Sequence, residues 1–298
     1  MSLPIAFVVV VLIWSTTPLA IKWSALGAGF GFAVFSRMAI GVALCALLLV
    51  ALRIRMPWHR TARLTYVVGG VSVFGAMTLT YWASQYISSG LISVLFGLSP
   101  LLTGLGAAYW LKEKALTWNK VGGMLLGLFG LATIFRHNIE IGPYAFAGIA
   151  ALLGAVTLQS LGLVWIKRLG DHSSPVAINL GALVFALPLF ALTWLVSDGQ
   201  VPTNVPTRAL IAIAYLGLFG SVVGFVLYFY MIKHMEASRV ALITLITPVI
   251  ALLLGHSLNN ETVPFNVWLG TVAILSGLSL HQWGHLALAR LPLGKNRA

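Results

Sequence analysis

The chain has 298 residues, of which 59% are hydrophobic and only 8% charged, with a formal net charge of +12. Soluble domains carry roughly 25% charged residues, so the composition excludes one and describes an all-α integral membrane protein. Nucleic acid is not the implied partner, because the basic residues sit in short gaps between apolar runs, where they report membrane orientation.

A membrane span needs roughly 20 residues rising about 1.5 Å each. In chain order ten such runs can be drawn, at 3–22, 32–52, 64–84, 88–111, 119–136, 143–166, 175–197, 207–231, 238–258 and 265–288. The first resembles a signal-peptide core over 5–13. No basic segment precedes it, and Trp14-Ser15-Thr16-Thr17-Pro18 stands where small residues would mark cleavage, so it reads as a retained helix. Turn chemistry at Arg55-Met56-Pro57, Gly142-Pro143, Asp198-Gly199 and Pro202 to Pro206 marks the gaps. None of the gaps could hold a soluble domain. The single cysteine, Cys45, lies inside an apolar run and offers no disulfide.

The basic residues orient the chain. With a cytoplasmic N-terminus, the inner gaps and span ends hold Arg53, Arg55, Arg60, Arg63, Lys112, Lys114, Lys120, Lys167, Arg168, Lys233, Arg239, Arg290, Lys295 and Arg297, which is 14 of the 18 Lys and Arg. Lys22, Arg136 and Arg208 remain outside, and Arg37 lies within the second span. The positive-inside rule then places both termini in the cytoplasm of a multi-pass protein of the inner (plasma) membrane.

The chain also reads as one unit written twice. Pro100, Glu113 and Gly122 recur as Pro248, Glu261 and Gly270, each displaced by 148 residues. Tyr81-Trp82 falls on Phe229-Tyr230 at the same offset, and Leu128, Gly130 and Leu131 fall on Leu275, Gly277 and Leu278 with a one-residue slip. Five spans per unit is an odd number, so the second unit must enter the membrane inverted. Loop charges agree: Lys112, Lys114 and Lys120 surround the gap after the fourth span, whereas its counterpart after the ninth has no basic residue. The gap after the third span has none, while Lys233 and Arg239 flank its counterpart after the eighth.

Ten spans in two inverted halves resemble the drug/metabolite transporter superfamily, specifically its EamA-type members. The matching stretches are Gln85-Tyr-Ile-Ser-Ser-Gly90 through Ser99-Pro100 to Lys112-Glu113-Lys114, and Ala237 through Pro248 to Glu261. The resemblance divides the chain into a five-helix repeat at 1–136, an inverted one at 143–288 and a cytoplasmic tail at 289–298. Among the branches the chain looks most like the YddG-type amino-acid exporters. The resemblance implies export of neutral or zwitterionic metabolites, amino acids with large apolar or aromatic side chains among them, by alternating access around a site between the halves. The alternatives are a carrier of anionic metabolites such as sugar phosphates, which would require Lys22 and Arg37 to face the cavity, and a multidrug exporter.

All six acidic residues, Glu113, Glu140, Asp171, Asp198, Glu236 and Glu261, fall in gaps or at span ends. A pump for organic cations usually needs a buried carboxylate, so proton-coupled cation antiport is disfavoured. No GxxxxGK[ST], HExxH or GxSxG occurs, which argues against an ATPase, a protease and enzymes generally. No cofactor is implied. His281 and His285 share a helix face but lack a third ligand, so no metal site is assigned.

A solute site must then be built from neutral groups. Thr78, Tyr81, Trp82 and Gln85 share one helical face of the third span. Trp14 and Thr17 in the first span, and Gln159 and Trp165 in the sixth, occupy related places in the two halves, and Tyr228 lies on the eighth. Each could equally anchor an interface or pack helices. Pro18, Pro100, Pro188 and Pro248 each free a carbonyl four residues earlier, Phe96 for Pro100 and Thr244 for Pro248. Such carbonyls could hold an ammonium group. Pro18, Pro100 and Pro248 are candidate hinges, static kinks being the other reading. Lys22 and Arg37 can snorkel to the outer surface or pair with a substrate carboxylate or phosphate. His281 and His285 lie toward the last span's cytoplasmic end, which leaves His256 as the expected buried histidine. Gly217, Ser221 and Gly224 read as a close-packing seam. The expected partners are a small-molecule solute and the lipid bilayer, with the chain working as a monomer.

Overall fold

The computed structural model describes residues 2–111, 118–136, 144–197, 199–235, 240 and 243–289. Its elements are α1 (Leu3–Ala25), α2 (Phe30–Ala51), α3 (Arg60–Ala83), α4 (Ser89–Phe96), α5 (Ser99–Trp110), α6 (Trp118–Arg136), α7 (Ala145–Leu169), α8 (Pro175–Ser197), α9 (Thr207–Tyr215), a π-helical segment (Leu216–Gly224), α10 (Phe225–His234), α11 (Ile243–Asn259) and α12 (Phe265–Ala289). No strand occurs among the described residues. Among the described residues seven stretches are long and apolar enough to cross a membrane: α1, α2, α3, α4 with α5, α7, α8, and Thr207–His234. The sequence runs at 119–136, 238–258 and 265–288 correspond to α6, α11 and α12. The chain is an all-α, multi-pass membrane protein.

Local chemistry sets the helix ends. The His59 ring accepts the Ala62 N–H at 3.2 Å to start α3, and Ser88 Oγ accepts the Leu91 N–H at 3.2 Å to start α4. Gly170, at φ +61°, closes α7 in the left-handed conformation that a side chain would oppose. Large apolar residues such as Leu47, Phe129 and Val196 are exposed on the bundle's outside. Such a surface suits lipid, where helices satisfy their own backbone and need no polar rim.

The helices associate through small residues. A Cβ at Gly130 would lie 2.6 Å from the Gly270 carbonyl, and one at Gly277 would lie 2.5 Å from the Gly123 carbonyl. α6 and α12 therefore pack backbone to backbone, as small residues permit in a membrane. α3 packs on α7 and α8, α2 on α8 and the π-helical segment, α1 on α9, α10, the π-helical segment and α11, α4 on α11, and α5 on α7.

The prolines behave differently from one another. Pro18 and Pro248 stay inside α1 and α11. Pro100 sits in the first turn of α5, where the fourth span breaks into two helices at Gly97-Leu98. Pro188 is exposed within α8. The glycine seam expected at Gly217, Ser221 and Gly224 lies in the π-helical segment, a wound-out geometry that recurs at functional sites. The readings placed on Glu113, Glu140, Asp198, Glu236, Arg239 and the tail at 290–298 lie outside the described residues, as do the side chains of Thr244, His281 and His285.

Candidate functional site

One face of α1 carries Trp14, Thr17, Pro18 and Ile21, spaced i, i+3, i+4 and i+7. These residues line a central cavity of about 550 Å³ of empty space counted to its mouth. Arg37 from α2, Met77 and Thr80 from α3, and Ile92, Ser93 and Phe96 from α4 line it too. Gln159 from α7, Phe225 from α10 and Thr247 from α11 complete the wall. The site is thus shared by helices before and after the midpoint of the chain. Its lining is apolar and aromatic with scattered hydroxyls and one amide. Among the described residues it has no carboxylate, and Arg37 is its one charged side chain.

Arg37 is 2% exposed and does not snorkel outward. Its Nε donates to Ser221 Oγ at 2.9 Å, and its guanidinium carbon lies 5.9 Å from the centre of the Tyr81 ring. The π-helical segment makes room for it, since a Cβ at Gly220 would come within 2.8 Å of Arg37 Nη2. The same segment abuts Trp14, whose Nε1 would lie 3.3 Å from a Cβ at Gly224. Trp14 in turn meets Phe225 edge-on at 6.4 Å and Tyr228 at 5.2 Å between ring centres.

The residues singled out in the sequence fall into three groups. Trp14, Thr17, Pro18 and Gln159 share the central cavity, and Tyr228 lines an adjoining space of about 310 Å³ that also touches Met77, Gln159 and Phe225. Tyr81 is wholly buried against Arg37, and neither its hydroxyl nor that of half-buried Thr78 has a partner. Trp82 packs on Tyr86, Gln85 is exposed and bonds the Trp82 carbonyl, and Trp165 packs against Trp110 and Arg168. On α3 the cavity face is therefore Met77 and Thr80, about one residue around the helix from the polar stripe. Ser93, Phe225 and Thr247 had no sequence signal of their own, and Phe96 entered only through its carbonyl. Pro100 and Pro248 are buried beside Gly97, whose Cβ position is 3.7 Å from the Pro248 ring. Histidine differs from expectation: His256 is exposed, with Nδ1 3.1 Å from the Glu261 carbonyl, because it falls in the last turn of α11 rather than at mid-helix.

Beyond the cavity, one end of the bundle is tied by Glu261. It accepts the Ser89 N–H at 3.0 Å, the Ser89 hydroxyl at 2.8 Å and the Asn259 amide at 3.0 Å, and it pairs with Lys22 at 3.5 Å. The Ser89 and Gly90 N–H groups, in the first turn of α4, have no intrahelical acceptor and donate to the Glu261 carboxylate instead. Burial opposes ionisation of Glu261. Lys22 and these hydrogen bonds outweigh it and hold the carboxyl below its ordinary value.

At the opposite end, a third space, lined by Lys167, Asp171, His172 and Lys233, shares the walls Ile166 and Phe229 with the adjoining one. Lys22 Nζ donates to the Ile87 carbonyl at 3.0 Å, reaching 65 residues along the chain. Lys167 Nζ donates to the Ile232 carbonyl at 2.8 Å, also reaching 65 residues.

Known proteins resemble the chain along its whole length. A solved structure superposes with a TM-score of 0.71 at 20% identity, covering 98% of this chain and 99% of the other. A probable terminal-alkyne amino-acid exporter of Streptantibioticus cattleyicolor is 26% identical, over 98% of this chain and 95% of its own. An S-adenosylmethionine/S-adenosylhomocysteine transporter of Chlamydia trachomatis is 28% identical, over 85% and 80%. An uncharacterized transporter of Archaeoglobus fulgidus is 26% identical, over 81% and 84%. The EamA-like transporter family matches twice, at residues 1–136 and 146–281. A two-fold match over nearly the whole chain, on a helical bundle with a shared central cavity, makes this protein a member of the EamA-like transporter family.

Proposed function

We propose that the chain exports neutral or zwitterionic metabolites, amino acids with large apolar or aromatic side chains among them, by alternating access. Family membership makes it a secondary transporter of small metabolites rather than an enzyme. The observation that carries the finer reading is the lining of the cavity. Trp14, Phe96 and Phe225 can enclose an apolar side chain, while Thr17, Thr80, Ser93, Gln159 and Thr247 offer neutral hydrogen bonds. A relative named as an amino-acid exporter, matched almost end to end, supports the same class.

The proposed mechanism uses two inverted five-helix repeats that rock about the cavity, with ten spans and both termini cytoplasmic. Three observations support it: the double family match, the loop charges, and the helix pairing. α3 meets α7 as the α9–α10 span meets α1, and α1 meets α11 as α7 meets α5. The two lysine bonds of equal reach fit as well, since inversion would put Lys22 and Lys167 on opposite faces. On this reading the Glu261 network closes the outer end, and the chain of spaces leads inward.

Purified protein in liposomes tests the proposal. Vesicles preloaded with unlabelled large neutral amino acids should accumulate the labelled form by exchange. Exchange of phosphorylated sugars, with none of amino acids, would replace this reading with the anionic-metabolite carrier.

A further inference from the structure

We propose that Arg37 is an anion subsite that binds the single carboxylate of the transported solute through its guanidinium, an inference that rests on the central cavity being the solute site. A charged side chain inside the membrane is costly, and a long one normally reaches for water. Arg37 is instead held inward by its Nε bond to Ser221 and by the Tyr81 ring, in the space that Gly220 leaves. This fixes the stem and leaves the outer fork unused: Nη1 is buried and has no hydrogen-bond partner.

An unpaired buried guanidinium nitrogen calls for an acceptor, ideally an ionised one. The protein does not provide it. Among the described residues the ion pairs are Lys22 with Glu261 and His59 with Asp171, and neither reaches the cavity. The solute can supply the missing charge. A carboxylate accepts planar, charge-assisted hydrogen bonds from an arginine fork.

The charge count selects the anion. Among the described residues Arg37 is the one cation lining the cavity, because Lys22 is engaged by Glu261 and the Ile87 carbonyl. One positive charge balances a carboxylate and leaves a dianionic phosphate under-compensated. An ammonium group on the same solute would find the carbonyl of Trp14, which Pro18, inside α1, cannot serve as a donor. Trp14 lines the cavity.

Thermal-shift titration of the purified protein in detergent tests this with matched probes: phenylalanine, phenylalaninamide, 3-phenylpropionate and phenyl phosphate. Wild type should bind the two carboxylates about 10-fold or more tightly than the amide, with phenyl phosphate weaker than either. In Arg37→Gln the carboxylate preference should fall to about 2-fold or less, while Arg37→Lys keeps part of it. Equal wild-type binding of phenylalanine and its amide overturns the proposal, and this comparison needs no folded variant. An undiminished preference in Arg37→Gln overturns it too, and a wild-type preference for phenyl phosphate overturns the carboxylate assignment. Binding of 3-phenylpropionate without phenylalanine would uphold Arg37 while removing the amino-acid reading. Binding of phenylalanine with no carboxylate preference would do the reverse.

Discussion

Lys22 Nζ lies 3.5 Å from a carboxylate oxygen of Glu261, joining the end of α1 to the loop between α11 and α12. Glu261 also caps the start of α4, so one carboxylate ties three elements together. Replacement by glutamine keeps the shape but removes the charge. Glu261→Gln should lower stability by about 2 kcal/mol. It should also raise labelling of a cysteine at Thr17 from the outer face. The carboxyl titrates below its ordinary value of 4.5, so the charged network contributes at neutral pH and is lost as pH falls through that lowered value. Wild type should therefore gain outer accessibility below pH 4.5, while Glu261→Gln should be flat across the same window. Identical pH profiles would remove Glu261 from gating.

Topology gives a second test. The proposed inversion would put position 113 in the cytoplasm and position 262 outside. In a Cys45→Ala background, Glu113→Cys and Thr262→Cys should react with an impermeant thiol reagent from opposite sides of the membrane. Same-side labelling would falsify the inversion.

The cavity wall separates residues that the sequence could not. Trp14→Ala and Gln159→Ala should cut transport roughly tenfold or more, because each removes a wall contact. Gln85, exposed and bonded to its own helix, should tolerate alanine within about twofold. Equal losses at Gln85 and Gln159 would place the solute elsewhere.

Gly220→Ala probes the π-helical segment. The added methyl would come within 2.8 Å of Arg37 Nη2, so the guanidinium must shift from its place beside Ser221. Stability should change by no more than about 1 kcal/mol, while transport falls several-fold. Wild-type transport in a folded Gly220→Ala protein would show that the position of the fork does not matter.

Energy coupling is expected to follow the solute's own gradient or exchange. Among the described residues the cavity has no carboxylate or histidine, and His256 is exposed at the end of α11. An imposed pH gradient should alter initial transport rates by less than about twofold, in wild type and in His256→Ala alike. Concentrative uptake driven by a pH gradient would overturn this.

Membrane residence, the apolar spans and the internal duplication were legible in the sequence. They depend on local hydropathy, loop charge and spacing, which each segment carries by itself. Trp14, Thr17 and Gln159 were also reachable, since polar and amphipathic groups in apolar helices seek one another. What only the tertiary structure decided was rotation and partnership. A turn of about 100° per residue separates Thr80 on the cavity from Tyr81 against Arg37, and Gln85 falls past the end of α3 at the surface. Whether Arg37 snorkelled or turned inward depended on Ser221, 184 residues away, and on the room that Gly220 leaves inside a π-helical turn. Lys22 likewise met its partner only when α1 came to lie beside α11. Hydropathy assigns a residue to the membrane, but a long charged side chain takes its direction from neighbours that the fold brings to it.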